Sequence, residues 1–377
     1  MLIIGIIIGL IVLVFLVAAH ELGHAIVAKR NGVVVEEFGI GFPPRALAKK
    51  LKNGVLFTVN WLPLGGFVRL QGESDDASKK GDYGNATFWQ KTKILFAGVL
   101  VNWLIAVVLL TILALTGLPS GIPNQFTVPS DTTVITDPVK IGSLTSGYPA
   151  EKAGLQKGDT IISLDGESID TTAELIDVSK ANRGETVKVV YERNNKQVTA
   201  DVALRDADSA TFGAALGQNQ KTKSTWSAPI VGVVSTGQYT WLTLQGLGDL
   251  VSNFFGGLAG QLSTSEESRE KATDKLNQAG DSVAGPVGIL GVIFPAASEV
   301  GPSRVVFLAA IISLTLAVMN ALPIPSLDGG RWFVTALSRV MKKPLTKDIE
   351  ERINGTGFMI LLGLILLVTI ADVLKLF

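Results

Sequence analysis

The chain contains no cysteine and only two histidines in 377 residues. Without cysteine, disulfides, thiolate zinc sites and iron–sulfur clusters are excluded, so any metal must be held by His, Asp, Glu or Asn. Charge of one sign is also missing: 33 Lys and Arg balance 33 Asp and Glu. That leaves no electrostatic footprint for nucleic acid, and none is expected as a partner. Charged residues are scarce at 18%, against 47% hydrophobic, and mean hydropathy is +0.40. This profile predicts an integral membrane protein carrying one or more polar domains. The length allows two or three domains.

What is present begins with an uncharged aliphatic run over residues 2–19, long enough for a membrane helix. A cleaved signal peptide is the alternative, because Val17-Ala18-Ala19 loosely resembles a small-residue cleavage site. No Lys or Arg precedes the run, which argues against it. Both histidines follow at once, in His20-Glu21-Leu22-Gly23-His24. Residues four apart share a helix face, so His20 and His24 can grip one Zn²⁺. Glu21 can then serve as general base on a metal-activated water. The short motif arises by chance in many proteins, but here it uses the entire histidine supply.

Further spans are predicted at 94–118, 303–322 and 356–371, giving about four transmembrane helices. Asn102 is the strongly polar side chain of the second span, and such a residue is expected to face the protein interior. Between the first two spans, residues 54–70 (GVLFTVNWLPLGGFVRL) read as β-structure, with a turn signal at Leu62-Pro63-Leu64-Gly65-Gly66. This is either a surface hairpin or a membrane-associated β-hairpin beside the site. Residues 229–262 read as an amphipathic or interfacial helix with a further span not excluded, 263–281 as exposed polar chain, and 283–297 as a broken apolar segment. The loops 29–93 and 331–352 are both rich in Lys and Arg, which places them in the cytoplasm.

A catalytic zinc takes three protein ligands, and the third must here be a carboxylate. Asp249, Asp328 and Asp372 lie in or beside apolar segments. Asp328 is favoured because it follows a proline-broken stretch and precedes Gly329-Gly330, which permit close backbone approach. The competing reading is an ordinary Asp-Gly turn.

Residues 141–169, with Gly147-Tyr148-Pro149-Ala150-Glu151-Lys152-Ala153-Gly154-Leu155 and Gly158-Asp159, resemble a PDZ domain of the bacterial protease type. Such domains bind extended peptides at a sheet edge. With HELGH in the first span, VNWLPLGGFVRL in the following loop and NALPIPSLDGGR after the third, the chain resembles the site-2 proteases. These are intramembrane zinc metalloproteases, and the likeness is to the bacterial type that regulates sigma-factor signalling.

The resemblance implies a polytopic α-helical membrane protein with an inserted extracytoplasmic PDZ domain (α+β). Residues 1–120 and 301–377 would form the two halves of the protease core, 127–205 the PDZ domain and 206–300 an extracytoplasmic linker or amphipathic region. It implies zinc on His20, His24 and Asp328, Glu21 as base, and Asn320 as a substrate-holding or oxyanion-stabilising residue. Gly65, Gly66 and Phe67 of the hairpin would align an extended substrate strand. The PDZ insert would exclude substrates with large extracytoplasmic parts. Substrates would be single-span membrane proteins such as anti-sigma factors or signal-peptide remnants, cut near the cytoplasmic face of the inner or plasma membrane. A non-catalytic PDZ membrane scaffold is the alternative, and a channel a more distant one. Two departures stand out: one PDZ where many relatives carry two, and Ala97-Gly98-Val99 in the second span where relatives often have Gly-Pro.

Overall fold

The computed structural model describes residues 2–207 and 209–376. It divides into two compact units, one made of the chain up to Thr116 and from Trp226 onward, the other of Gly117–Thr225. In chain order, helix α1 (Leu2–Arg30) is followed by strands β1 (Val35–Lys50) and β2 (Leu56–Leu70) and helix α2 (Phe88–Thr116). The second unit holds β3 (Leu118–Pro119), β4 (Thr133–Thr136), β5 (Lys140–Leu144), α3 (Pro149–Lys152), β6 (Thr160–Leu164) and β7 (Glu167–Ser168). It continues with α4 (Thr172–Ala181), β8 (Thr186–Arg193), β9 (Lys196–Ala203), β10 (Ala214–Gly217) and β11 (Gln220–Lys223). The first unit resumes with α5 (Ala228–Gln261), α6 (Glu266–Asp281) and α7 (Pro286–Gly288). A π-helical turn (Ile289–Ile293) leads to α8 (Phe294–Val300), α9 (Pro302–Ala321), α10 (Asp328–Met341) and α11 (Lys347–Leu376).

Four of these helices, α1, α2, α9 and α11, are long and apolar enough to cross a membrane. The bent pair formed by α6 and Pro286–Val300 would make a fifth if counted as one span. At 29 residues each, α1 and α2 run about 43 Å, more than the ~30 Å hydrocarbon thickness. Without a hydrophobic drive between helices in lipid, close backbone approach is what joins them. Gly23 of α1 supplies it: a Cβ there would lie 2.9 Å from the Ala97 carbonyl of α2. Nearer its N-terminal end, α1 meets α8 through Gly5 against Pro295 and Gly9 against the Phe294 ring. Ser313 of α9 donates to the Asn102 carbonyl of α2 at 2.8 Å.

The β-structure after α1 is larger than the expected 54–70 hairpin. β1 contributes residues 35–50, and the reversal lies at Leu51–Val55, where Gly54 has φ +88° and Leu51 N–H donates to the Val55 carbonyl at 2.9 Å. Leu62–Gly66 instead lies within β2, with Gly65 at φ +94° re-aiming the chain. Residues 37–40 pair with Arg69–Gly66 on one edge and with Leu56–Val59 on the other, while Arg45–Lys50 pair with Asn60–Leu56. The two long strands therefore make a four-segment sheet, with 66–70 along one outer edge. Pro43-Pro44 interrupts the alternation that would have marked β1 as a strand. Inside the sheet, the buried Glu37 carboxylate is held by Arg45 at 2.8 Å, Arg69 at 2.9 Å and Thr58 Oγ1 at 3.0 Å.

The second unit is a sheet in the order β10-β5-β6-β8-β9, with β7 beside β6, plus a small β3-β11-β4 sheet. It extends beyond 127–205 at both ends, because β3 before and β10 and β11 after complete its sheets. In β8, Val187, Val189 and Tyr191 alternate inward, as a half-buried strand requires. They pack with Ile141, Leu155, Ile161, Leu164, Leu175 and Val202. α4 opens on a capping box between Thr171 and Glu174. Asp159 is buried and gripped by Arg193 through Nε at 2.7 Å and Nη2 at 2.6 Å. Residues 263–281, read as exposed polar chain, form mostly the helix α6; Ala272 and Ala279 bury one stripe and Gly260 of α5 accommodates Ala272.

Candidate metal centre and active site

α1 places His20 and His24 on the face toward α2, and both rings are buried. The third component arrives from the broken segment between α9 and α10. α9 stops at Ala321, and Ser326 sits at φ +76°, an uncommon conformation for a non-glycine residue. Its hydroxyl donates to the Asn354 carbonyl at 2.5 Å and anchors the turn. α10 then starts at Asp328. Gly329 and Gly330 lie directly against the Ala321 and Ile324 carbonyls, so α10 can begin against the end of α9 only with no side chain at those two positions.

The result is a tight triangle. His20 Nε2 and His24 Nε2 are 3.1 Å apart, and Asp328 Oδ2 lies 3.1 Å from the first and 3.2 Å from the second. It is the one such His/Asp/Glu cluster among the described residues. A point slightly off the plane of these atoms is roughly 2 Å from all three, the bonding distance of zinc to nitrogen and carboxylate oxygen. The donor set of two imidazoles and one carboxylate, leaving a coordination position open, is that of catalytic zinc. The residues fit the ion.

The other ring nitrogens are taken up by α2. His24 Nδ1 lies 2.7 Å from the Ile94 carbonyl, which fixes it as an N–H donor and leaves Nε2 free to ligate. His20 Nδ1 lies 3.3 Å from the Asn102 side-chain amide. Between them Gly98 faces the rings: a Cβ at this position would be 2.5 Å from His24 Nε2 and 2.6 Å from His20 Nε2. Ile94, Gly98 and Asn102 are spaced four apart and form one stripe behind the histidines.

Glu21, one position round the helix, points to the sheet instead. The Val68 backbone amide serves its carboxylate, and Gly66 is close enough that a Cβ there would lie 3.5 Å from Glu21 Cγ and 3.3 Å from Val17. The outer edge of the sheet, residues 66–70, thus borders the acidic side chain. Phe67 lays its ring over Gly39, and Gly65 sits under the Phe42 ring. Asn320 donates to the Leu316 carbonyl of its own helix at 3.0 Å. Of the other aspartates weighed as ligands, neither joins the cluster; Asp372 accepts the Gly288 N–H at 2.7 Å.

Two features were not visible in the sequence. One is the backing stripe on α2, for which the only signal was a polar Asn102 in an apolar span. The other is the anchor of α10. Arg331, one turn after Asp328, pairs with Glu350 at 3.1 Å, donates to the Glu73 carbonyl and lies over the Tyr83 ring, 4.5 Å from its centroid. Glu350 also accepts the Asp75 N–H at 2.9 Å.

A His₂–carboxylate cluster beside a glutamate, its histidines on the bilayer-length α1 and its aspartate at the break after the bilayer-length α9, defines a membrane metallopeptidase in class. A family model for peptidase family M50 matches residues 8–364, and the chain belongs to that family. It is 29% identical to the zinc metalloprotease RasP of Geobacillus kaustophilus, over 96% of each chain. It is 27% identical, again over 96% of each, to the regulator of sigma-W protease RasP of Bacillus subtilis. Among solved structures it is similar to the PDZ domain of an SdrC-like protein of Listeria monocytogenes, with 31% identity, 21% of this chain and 87% of that one covered, and a TM-score of 0.19.

Proposed function

We propose that the protein is an intramembrane zinc endopeptidase that cuts single-span membrane proteins in or near their transmembrane segments. The observation that carries this reading is the convergence of His20 and His24, on the bilayer-length α1, with Asp328, at the break that follows the bilayer-length α9. These three residues hold the metal. When bound, Zn²⁺ supplies a Lewis acid and lowers the pKa of water.

The remaining chemistry falls to the chain itself. Glu21 takes the proton of the attacking water and returns it to the leaving amine. Carbonyls within a transmembrane helix are already hydrogen-bonded, so the substrate must unwind before attack. The free edge at Gly65, Gly66 and Phe67 offers main-chain partners for an extended strand and delivers it beside Glu21. Asn320, eight residues before Asp328, holds the substrate or the developing oxyanion.

The basic loops 29–93 and 331–352 face the cytoplasm, so the site opens toward that side. The Gly117–Thr225 unit, PDZ-type by its residues 141–169, lies on the other side as a filter for substrate size and a site for a peptide ligand. Anti-sigma factors and signal-peptide remnants fit the substrate class. The B. subtilis relative's description as a regulator of sigma-W protease supports the former.

The test is Glu21→Gln in detergent-purified full-length protein, assayed on a single-span membrane reporter. About one zinc per chain with cleavage abolished is the expected result. Unchanged cleavage overturns the role of Glu21. Absence of zinc in the folded wild type moves the PDZ scaffold reading to the front.

A further inference from the structure

We propose that Asn102 is the positioning residue for His20: its side-chain carbonyl accepts the Nδ1–H of that ring, fixing the tautomer and plane in which Nε2 faces the metal. The proposal rests on the zinc reading above and extends it to a residue outside the ligand set.

Three observations carry it. First, both Nε2 atoms face Asp328, so ligation there requires each Nδ1 to carry the proton. His24 meets this requirement through the Ile94 carbonyl at 2.7 Å. His20 has no carbonyl in that role; its Nδ1 faces the Asn102 amide at 3.3 Å. Second, with Nδ2 toward the ring, Asn102 Oδ1 is buried and has no hydrogen-bond partner. A buried polar atom left unpaired costs free energy, and N–H facing N–H would be repulsive. The two ends of a carboxamide are nearly the same shape. Turned by half a rotation, Oδ1 accepts from His20 Nδ1–H, so an opposed pair of N–H groups becomes a hydrogen bond and the position without a partner passes from Oδ1 to Nδ2. Third, the residue is not free to drift. Its backbone carbonyl accepts the Ser313 hydroxyl of α9 at 2.8 Å, and its side chain is fully buried. α2 therefore orients both ligands two turns apart, one through its backbone and one through a side chain, with Gly98 as the clearance between them.

An Asn in this role differs from the carboxylate often found behind a ligating histidine. It supplies an acceptor without adding a second negative charge beside Asp328 and Glu21 at membrane depth, where an extra charge is costly.

Two measurements test it. With only two histidines in the chain, ¹⁵N-histidine labelling gives a spectrum of two imidazoles in the whole zinc-loaded protein. Expected are two Nδ1–H, Nε2-ligated rings, with one proton signal moving in Asn102→Ala. The reverse tautomer for either ring in the wild type overturns the proposal without any variant. The second readout is zinc affinity by competition with a chelator. Loss of such an outer partner typically weakens zinc 10–100-fold. Asn102→Ala should fall in that range, while Asn102→Asp, which keeps an acceptor but adds a charge, recovers part of the loss. Equal zinc affinity in wild type and Asn102→Ala, or equally poor affinity in the Ala and Asp variants, refutes it. A wild type that binds no zinc refutes instead the metal reading on which it stands.

Discussion

Replacing Gly98 with alanine should separate folding from metal binding in this protein. A methyl group there would sit 2.5 Å from His24 Nε2 and 2.6 Å from His20 Cε1 and Nε2. Ordinary contact begins near 3.4 Å, so the rings or α2 must give way by about 0.9 Å. α2 cannot retreat freely, because Ser313 of α9 holds the Asn102 carbonyl one turn on. The rings cannot pivot freely, because both Nδ1 atoms are engaged by α2 itself. Zinc sites tolerate about 0.2 Å of error in ligand distance. A displacement several times larger should cost at least 100-fold in zinc affinity, about 2.7 kcal/mol. Helix stability moves the other way, because alanine is favoured over glycine in a helix interior by about 1 kcal/mol. The expected protein is folded, within about 2 kcal/mol of the wild type when both are stripped of metal, because overpacking strain of about 1–3 kcal/mol is partly offset by the helix gain, and it is poor in zinc and inactive. Zinc content by elemental analysis, chelator competition and thermal unfolding of the apo forms would be read together. Full zinc occupancy with full cleavage in Gly98→Ala would refute the close approach of α2 to the ligands. Loss of zinc together with collapse of apo stability would show that the glycine serves packing rather than clearance.

Other outcomes follow from the charged groups away from the membrane spans. Arg331→Met should weaken zinc and cleavage by roughly 10-fold, since α10 loses its tie to Glu350 and Glu73 one turn from Asp328; Arg331→Lys should not restore it, because a point charge cannot serve both partners and the Tyr83 ring, and recovery by lysine counts against this role. In the Gly117–Thr225 unit, burial pushes the Asp159 carboxyl upward but the Arg193 guanidinium outweighs it and holds the group below the usual carboxylate range. A lowered folded pKa stabilises fully above the ordinary value of about 4 and is lost as pH falls through the lowered one. Arg193→Ala should therefore destabilise the protein near neutral pH, with the gap to wild type closing below about pH 4 in thermal unfolding of the full chain. A gap that stays constant with pH would mean the pair is not what the substitution removed.

What could be read from the sequence and what could not divide along a physical line. His20 and His24 were legible because four-residue spacing on a helix is a local rule, and their scarcity made the pattern stand out. Asp328 was legible by elimination, since cysteine and a third histidine are absent and few carboxylates border apolar segments. The bilayer made the spans legible, because long uncharged runs have few other uses. The sheet was only half legible. Pro43-Pro44 and scattered charge hid β1, and the Gly-rich stretch at 62–66 resembled a reversal when it is an irregularity inside β2. Its placement was the harder part: one outer edge borders Glu21, which depends on tertiary packing that no periodicity encodes. The backing stripe Ile94, Gly98 and Asn102 was invisible for the same reason. A glycine in an apolar helix looks like any other small residue until the ring nitrogens opposite it are located. The Ala97-Gly98-Val99 stretch, which departs from the family's Gly-Pro pair, holds the glycine that is pressed against the ligands. Retaining that glycine without the proline fits a clearance requirement. Proline shapes the helix, but only the missing side chain makes room for the two imidazoles.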